Sequence, residues 1–150
     1  MKRSIHALIF LALCCAVVSP VSASAATADD TYEADVLTHT NTERTTRNLK
    51  AVAASSCVDK YAEAQARKMS TAGKLSHQSM STLLTACKLR AVGENVAYGY
   101  SSGKSVVAAW MNSSGHRANI LKSAYRLHGV GAVKDSKGRW WVAQVFGTAK

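Results

Sequence analysis

Three consecutive pieces decide the fold class: His128-Gly129-Val130-Gly131-Ala132-Val133, then Lys134-Asp135-Ser136-Lys137-Gly138-Arg139, then Trp140-Trp141-Val142-Ala143-Gln144-Val145-Phe146. β-Branched and aromatic residues fill the outer runs and turn formers fill the middle one, which predicts a β-hairpin. What precedes it reads as helix. A first helix is expected from a cap at Asp29 or Asp30 through about Asn48. Tyr32, Val36, Leu37 and Asn41 form its inward stripe, with Arg44 and Arg47 near its C-terminal end. Ser56 and Asp59 have the spacing of a capping box, and Val58, Tyr61, Ala62, Gln65 and Met69 follow on one face of a second helix that Gly73 stops. A short helix is expected within 79–89, a third from about Ser105 to Asn112, and a last short turn capped by Ser113 or Ser114 through Leu121. Helices first and a hairpin last predict an α+β domain with an antiparallel sheet.

The N-terminal stretch has another character. Lys2 and Arg3 precede a run from Ile5 to Val18 that is apolar except for His6, and Pro20 and the small residues of 21–26 follow. That order is a secretory signal, cut after Ala23 or Ala25, and the run is shorter than the ~20 residues of a membrane-spanning helix. Lipid attachment through Cys14 or Cys15 is disfavoured because Leu13 precedes them. Residues 1–25 are therefore expected to leave, 26–34 to form a short N-terminal segment, and 35–148 to fold as one secreted, extracellular domain. Export leaves Cys57 and Cys87, which are expected to pair; closing a loop of that length contributes ~3.5 kcal/mol in the chain-entropy model.

Charge is unevenly placed. Asp29, Asp30, Glu33 and Asp35 lie together, whereas from Arg44 onward 17 basic residues face only Asp59, Glu63, Glu94 and Asp135. Such a body favours anionic surfaces: an envelope polymer, acidic lipid or polysaccharide. No three basic residues are adjacent and no nucleic-acid module is recognisable, so specific nucleic-acid binding is not expected. A monomer is expected.

Three side chains stand out chemically. His77 and His116 each follow a break and sit among small polar residues, and Glu94 lies in the mostly apolar Val92-Gly93-Glu94-Asn95-Val96-Ala97. A carboxylate in that setting needs a cation, donors or a metal. Two imidazoles and a carboxylate can hold a divalent ion, but the histidines are 39 residues apart and match no compact zinc motif. On residue types alone, a hydrogen-bonded structural cluster remains equally open.

The same segments resemble the CAP (cysteine-rich secretory protein) superfamily. Gly93-Glu94-Asn95 is similar to its GEN motif, and Trp110 to Leu121 to the W-x-x-S-x-G-H-R-x-N-I-L block of its bacterial branch. Asn41-Thr42-Glu43-Arg44, Leu75-Ser76-His77, Gly129-Val130-Gly131 and Gln144-Val145-Phe146-Gly147 match in order around them. The resemblance implies a three-layer α-β-α sandwich with a central antiparallel sheet, and a cleft lined by two histidines and two acids that in some members holds a divalent cation. His77, Glu94 and His116 fill three of those places. Many eukaryotic relatives have Glu three residues after the motif Trp, where this chain has Ser113, so any zinc or magnesium would be held with one carboxylate fewer. Asn41, Arg44, Asn95, Arg117, Asn119 and Gln144 are expected to support the cleft.

The resemblance implies an extracellular binding module for lipid, envelope polymer or a protein partner. The alternative is a metal-assisted hydrolase with Glu94 as general base and His77 and His116 as ligands or an acid/base pair. A serine mechanism at Ser113 or Ser114 lacks an orienting acid and a nucleophile elbow. In a third reading His77, Glu94 and His116 only pin loops together. Trp110, Trp140 and Trp141 are expected in the core and on the sheet rather than in a ligand platform.

Overall fold

The computed structural model describes residues 26–150; the expected signal, residues 1–25, lies outside the described residues. In chain order the elements are α1 (Ala28–Thr45), β1 (Ala53–Ala54), α2 (Ser56–Ala72), α3 (Met80–Ala86), β2 (Leu89–Tyr98), α4 (Gly103–Met111), α5 (Ser114–Ile120), β3 (Leu127–Lys134) and β4 (Trp140–Ala149). The expected hairpin is β3–β4, and the class is α+β. The sheet has the order β1-β3-β4-β2, antiparallel except that the two-residue β1 pairs parallel with β3.

Alternation along β4 sorts the helices. Trp140, Val142 and Phe146 pack with Val36 of α1, Val107 and Trp110 of α4 and Ile120 of α5. Trp141, Ala143 and Val145 turn the other way, toward Val58, Ala62, Ala66 and Met69 of α2 and Leu83 of α3. β3 carries glycine where α2 crosses it: a Cβ at Gly129 or Gly131 would enter the α2 backbone at Val58–Asp59 or Ala62–Glu63. The helix therefore lies directly on the strand. Cys57 and Cys87 are bonded, with Cα atoms 5.7 Å apart, and join the start of α2 to the turn before β2.

Several caps differ from expectation. Thr27, not Asp29 or Asp30, caps α1: its hydroxyl accepts from the Asp30 amide and Asp30 answers the Thr27 amide at 2.9 Å, a complete capping box. Because α1 starts at Ala28 and buries Tyr32, the folded body takes in much of the 26–34 segment. Helix α1 stops at Thr45, and its inward face carries Thr40 and Arg44 together with Tyr32 and Val36. At α2, Ser55 occupies the cap without a side-chain bond, and Asp59 instead accepts from the Val130 amide of β3 at 3.0 Å. Hydroxyls cap α3 and α4, where Ser79 accepts from Thr82 and Ser102 from Ser105; at α5, Ser113 occupies the cap without a side-chain bond.

Arg44 is fully buried without a carboxylate partner. Its guanidinium donates to the carbonyls of Lys50, Ile120, Lys122 and Tyr125 at 2.6–3.1 Å, gathering the chain before β1 and the α5–β3 connection around one side chain. Asn41 gives and takes one bond with the Val52 backbone, at 3.0 and 2.8 Å, and so anchors the approach to β1.

Glu33 and Asp59 cap amides along β3 past the point where β1 ends, Glu33 taking the Ala132 amide at 2.8 Å. Burial pushes the Glu33 carboxyl up to about 7, with the nearby acids adding to the effect. A carboxyl raised on folding contributes stability that is complete below its unfolded value and is lost as pH rises through the folded value. Glu33→Gln keeps an acceptor for Ala132 and removes the titration. Its melting temperature should therefore gain on the wild type between pH 5 and pH 8; a gap that is constant across that range contradicts the assignment.

Candidate functional site

The loop between Gly73, the left-handed cap that ends α2, and Ser79, which caps α3, carries His77 and Gln78. Buried Gln65 of α2 holds this loop by donating to the Ser76 carbonyl and hydroxyl. Both loop residues reach Glu94 of β2, whose side chain is 1% exposed. His77 Nδ1 lies 2.6 Å from Glu94 Oε1, the Gln78 amide N–H donates to the same oxygen, and Gln78 Nε2 donates to Oε2 at 2.5 Å. The carboxylate is buried with three donors. His77 itself is 60% exposed, its ring held on one side only.

His116 approaches from the other side, on α5. Asn119 of that helix donates to the Glu94 carbonyl and to Asn95 Oδ1, at 3.0 and 2.9 Å. Asn95 in turn donates to the His116 carbonyl at 3.2 Å and to Gln144 Oε1 at 3.0 Å. Gln144 then donates to the Thr40 hydroxyl and to His128 Nε2, at 2.7 and 3.0 Å. His128 must accept there, which places its proton on Nδ1; burial, with Arg44 nearby, drops its imidazolium to about 3 and keeps the ring neutral. Burial, and secondly the proximity of His77, also lowers His116 below the ordinary histidine value. Asn95, Asn119 and Gln144 thus link Glu94 and His116 to the sheet, and Asn41 and Arg44 bond to the backbone of the frame. Arg117 stays exposed, with no side-chain hydrogen bond to this cluster among the described residues.

The structure brings His77 and Glu94 into contact and places Ser113 and His116 in the wall of a neighbouring groove of about 310 Å³. That groove follows the outer edge of β2. Val96, Ala97 and Tyr98 supply its floor, Leu75 one bank, Ala109, Trp110, Ser113 and His116 the other, and Tyr100 its end. Trp110 Nε1 donates to the Val96 carbonyl at 3.4 Å, as Asn119 does to that of Glu94, so side chains already occupy these two carbonyls of the edge. Blocked in this way, the edge is a poor template for an added strand. The three large hydrophobic side chains most exposed among the described residues, Leu75 (38%), Tyr98 (48%) and Tyr100 (37%), all line this one groove.

Sequence reading gave Leu75 a place only in a family motif, and gave Gln78, Tyr98 and Tyr100 no role. The alternation at Val92, Val96 and Tyr98, ended by Gly99, was the available signal for β2 and therefore for its edge.

A divalent cation fits this arrangement only in part. Glu94 stands behind His77, as an orienting carboxylate stands behind a metal-bound imidazole, rather than among open ligands. A cation would therefore meet His77 Nε2 and His116, and no group of three ligating side chains comes together among the described residues.

This α+β domain has known counterparts. The model of the cysteine-rich secretory protein family (CAP) matches residues 37–146, and the chain belongs to that family. It is 34% identical over 131 residues to the uncharacterized protein YkwD of Bacillus subtilis (strain 168), a match covering 83% of this chain and 50% of that protein. The chain thus spans about half the length of this curated relative. Among solved structures, an extracellular protein containing a SCP domain from Bacillus anthracis str. Ames superposes with a TM-score of 0.71 at 24% identity, covering 84% of this chain and 45% of that one. A cysteine-rich secretory protein from Staphylococcus aureus subsp. aureus Mu50 gives 0.70 at 19% identity, covering 80% and 39%. At these identities the likeness establishes the fold.

Gln78→Ala leaves Glu94 Oε2 buried without its donor. We expect a loss of about 1–3 kcal/mol in urea unfolding, the cost of an unsatisfied buried acceptor. An unchanged midpoint would mean that water reaches Glu94 freely.

Proposed function

We propose that this chain is an extracellular binding module, a CAP domain built as a three-layer α-β-α sandwich, whose β2-edge groove holds the apolar chain of an amphiphile. The observation that carries this reading is the gathering of Leu75, Tyr98 and Tyr100 on one groove. Exposed large apolar side chains scattered singly need no explanation, whereas contiguous ones mark a binding surface. The chain of a lipid or fatty acid would lie over Val96 and Ala97 between the Leu75 and Trp110 banks. Ser113 and a neutral His116 would meet its polar head, for a hydroxyl and an N–H can serve a carboxylate, ester or phosphate alike. The Bacillus anthracis counterpart is described as extracellular and the Staphylococcus aureus one as a cysteine-rich secretory protein, which supports export. Metal-assisted hydrolysis would need Glu94 as an open general base, and its oxygens already serve His77 and Gln78.

The test is calorimetric titration of residues 26–150 with dodecanoate below its critical micelle concentration. Tyr98→Ser/Tyr100→Ser should weaken binding at least about tenfold, since burying each aromatic face contributes about 1.5–3 kcal/mol. Binding that is absent, or indifferent to the double substitution, contradicts the reading.

A further inference from the structure

The strands bring basic residues together at the end of the sheet away from the groove. The antiparallel order puts the start of β2, the end of β4 and the start of β3 side by side: the Lys150 amide donates to the Lys88 carbonyl at 3.2 Å, and the Arg126 amide to the Gly147 carbonyl at 3.0 Å. Lys88, Arg90, Arg126 and Lys150 are all exposed there, on strands spaced about 4.8 Å apart. The Arg44 guanidinium adds two more by collecting the Lys50 and Lys122 carbonyls beside Arg126, leaving both ammonium side chains exposed. None of these six residues forms an ion pair among the described residues, and the acid closest to Arg44 in the chain, Glu43, is tied to Arg47 at 2.5 Å. Of the other acids, Asp59 is taken up by the Val130 amide and Glu33 by the Ala132 amide further along β3, Glu63 pairs with Arg67, and Asp35 accepts from the Lys104 amide at the start of α4. Asp29 and Asp30 lie at the start of α1, Asp135 in the hairpin turn and Glu94 midway along β2.

We infer that this basic end is a second binding surface, for a hydrated phosphodiester polymer of the polyol-phosphate kind. The charge matches a chain of repeated monovalent anions. Arg90 can fork onto a tetrahedral oxyanion, and Arg126, whose Nη1 donates to the Ser123 and Tyr125 carbonyls, keeps its other guanidinium N–H groups for one. Two features argue against other polyanions. The exposed large hydrophobics lie at the opposite end of β2, so nothing here would wedge into a bilayer. Tyr125, beneath Lys122, is 1% exposed, so no aromatic face is offered to nucleic-acid bases. The inference shares with the proposed function only the extracellular setting; its residues are not those of the groove.

The experiment compares residues 26–150 with an Arg90→Gln/Lys122→Gln/Lys150→Gln variant and an equal-charge control, Lys68→Gln/Lys74→Gln/Lys137→Gln, on poly(glycerol phosphate) over a range of salt. Melting curves establish that all three are folded, and dodecanoate titration reads the groove separately. The first variant should bind at least about tenfold more weakly at 50 mM salt, and its log–log salt slope should be shallower by about 2, since each lost contact to a single strand removes about 0.7. The control should stay within about twofold of the wild type. Equal losses in both variants would reduce the surface to diffuse net charge and overturn the inference. Tighter binding to phosphatidylglycerol vesicles or to oligothymidylate than to poly(glycerol phosphate) would overturn it as well.

Discussion

Three amide side chains in series, half-buried Asn119 and buried Asn95 and Gln144, hold the functional half of the molecule in place. Each NH₂ group spends both protons: Asn119 on the Glu94 carbonyl and Asn95, Asn95 on the His116 carbonyl and Gln144, Gln144 on Thr40 and His128. The series crosses from α5 through β2 and β4 to β3 and α1. Removing any member strands its neighbours, at about 1–3 kcal/mol for each buried group left unpaired. Such a network is satisfied in one arrangement and costly in others. It therefore sets the distance between α5 and the edge of β2, and with it the position of the His116 bank of the groove. Asn95 and Gln144 are direct cross-strand partners, so a one-residue slip of β2 against β4 would break the series at its centre.

Glu94 and Arg44 show two solutions to the same difficulty, a charge taken out of water. Glu94 receives an imidazole, a backbone amide and a side-chain amide. Arg44 receives four carbonyls and no counter-charge, and burial lowers its guanidinium from the usual arginine value. One consequence is a division of labour along β2. Its Tyr98 end opens onto an apolar groove, while its Lys88 end belongs to a cationic surface that Arg44 helps assemble. An amphiphile and a polyanion could then be bound together, without competing for the same side chains.

The hairpin, α2 and the Cys57–Cys87 bond were legible because their signals are local: alternation and turn formers, three-and-four spacing with a glycine stop, and two cysteines left without competitors. Helix caps were less so. Thr27 took the cap expected at Asp29 or Asp30 and completed a box with Asp30, and Asp59 left its own helix to serve β3, a choice made by tertiary packing rather than by spacing. β2 went unread because Glu94 and Asn95 interrupt its apolar character, and both are polar for tertiary reasons, one facing the His77 loop and the other the amide series. Family motifs pointed to His77, Glu94 and His116. They did not indicate that Gln78 would close the carboxylate, nor that Leu75, Tyr98 and Tyr100 would converge, since that depends on which edge of the sheet is left free.

The central claim is that the β2 edge is where this domain takes hold of a ligand. It is tested most directly by photo-crosslinking with a diazirine-bearing dodecanoate, followed by peptide mapping of the labelled sites. The account predicts label confined to Leu75, the segment 96–100 and the segment 109–116. Label concentrated instead between α1 and α4, around Tyr32 and Trp140, would contradict it.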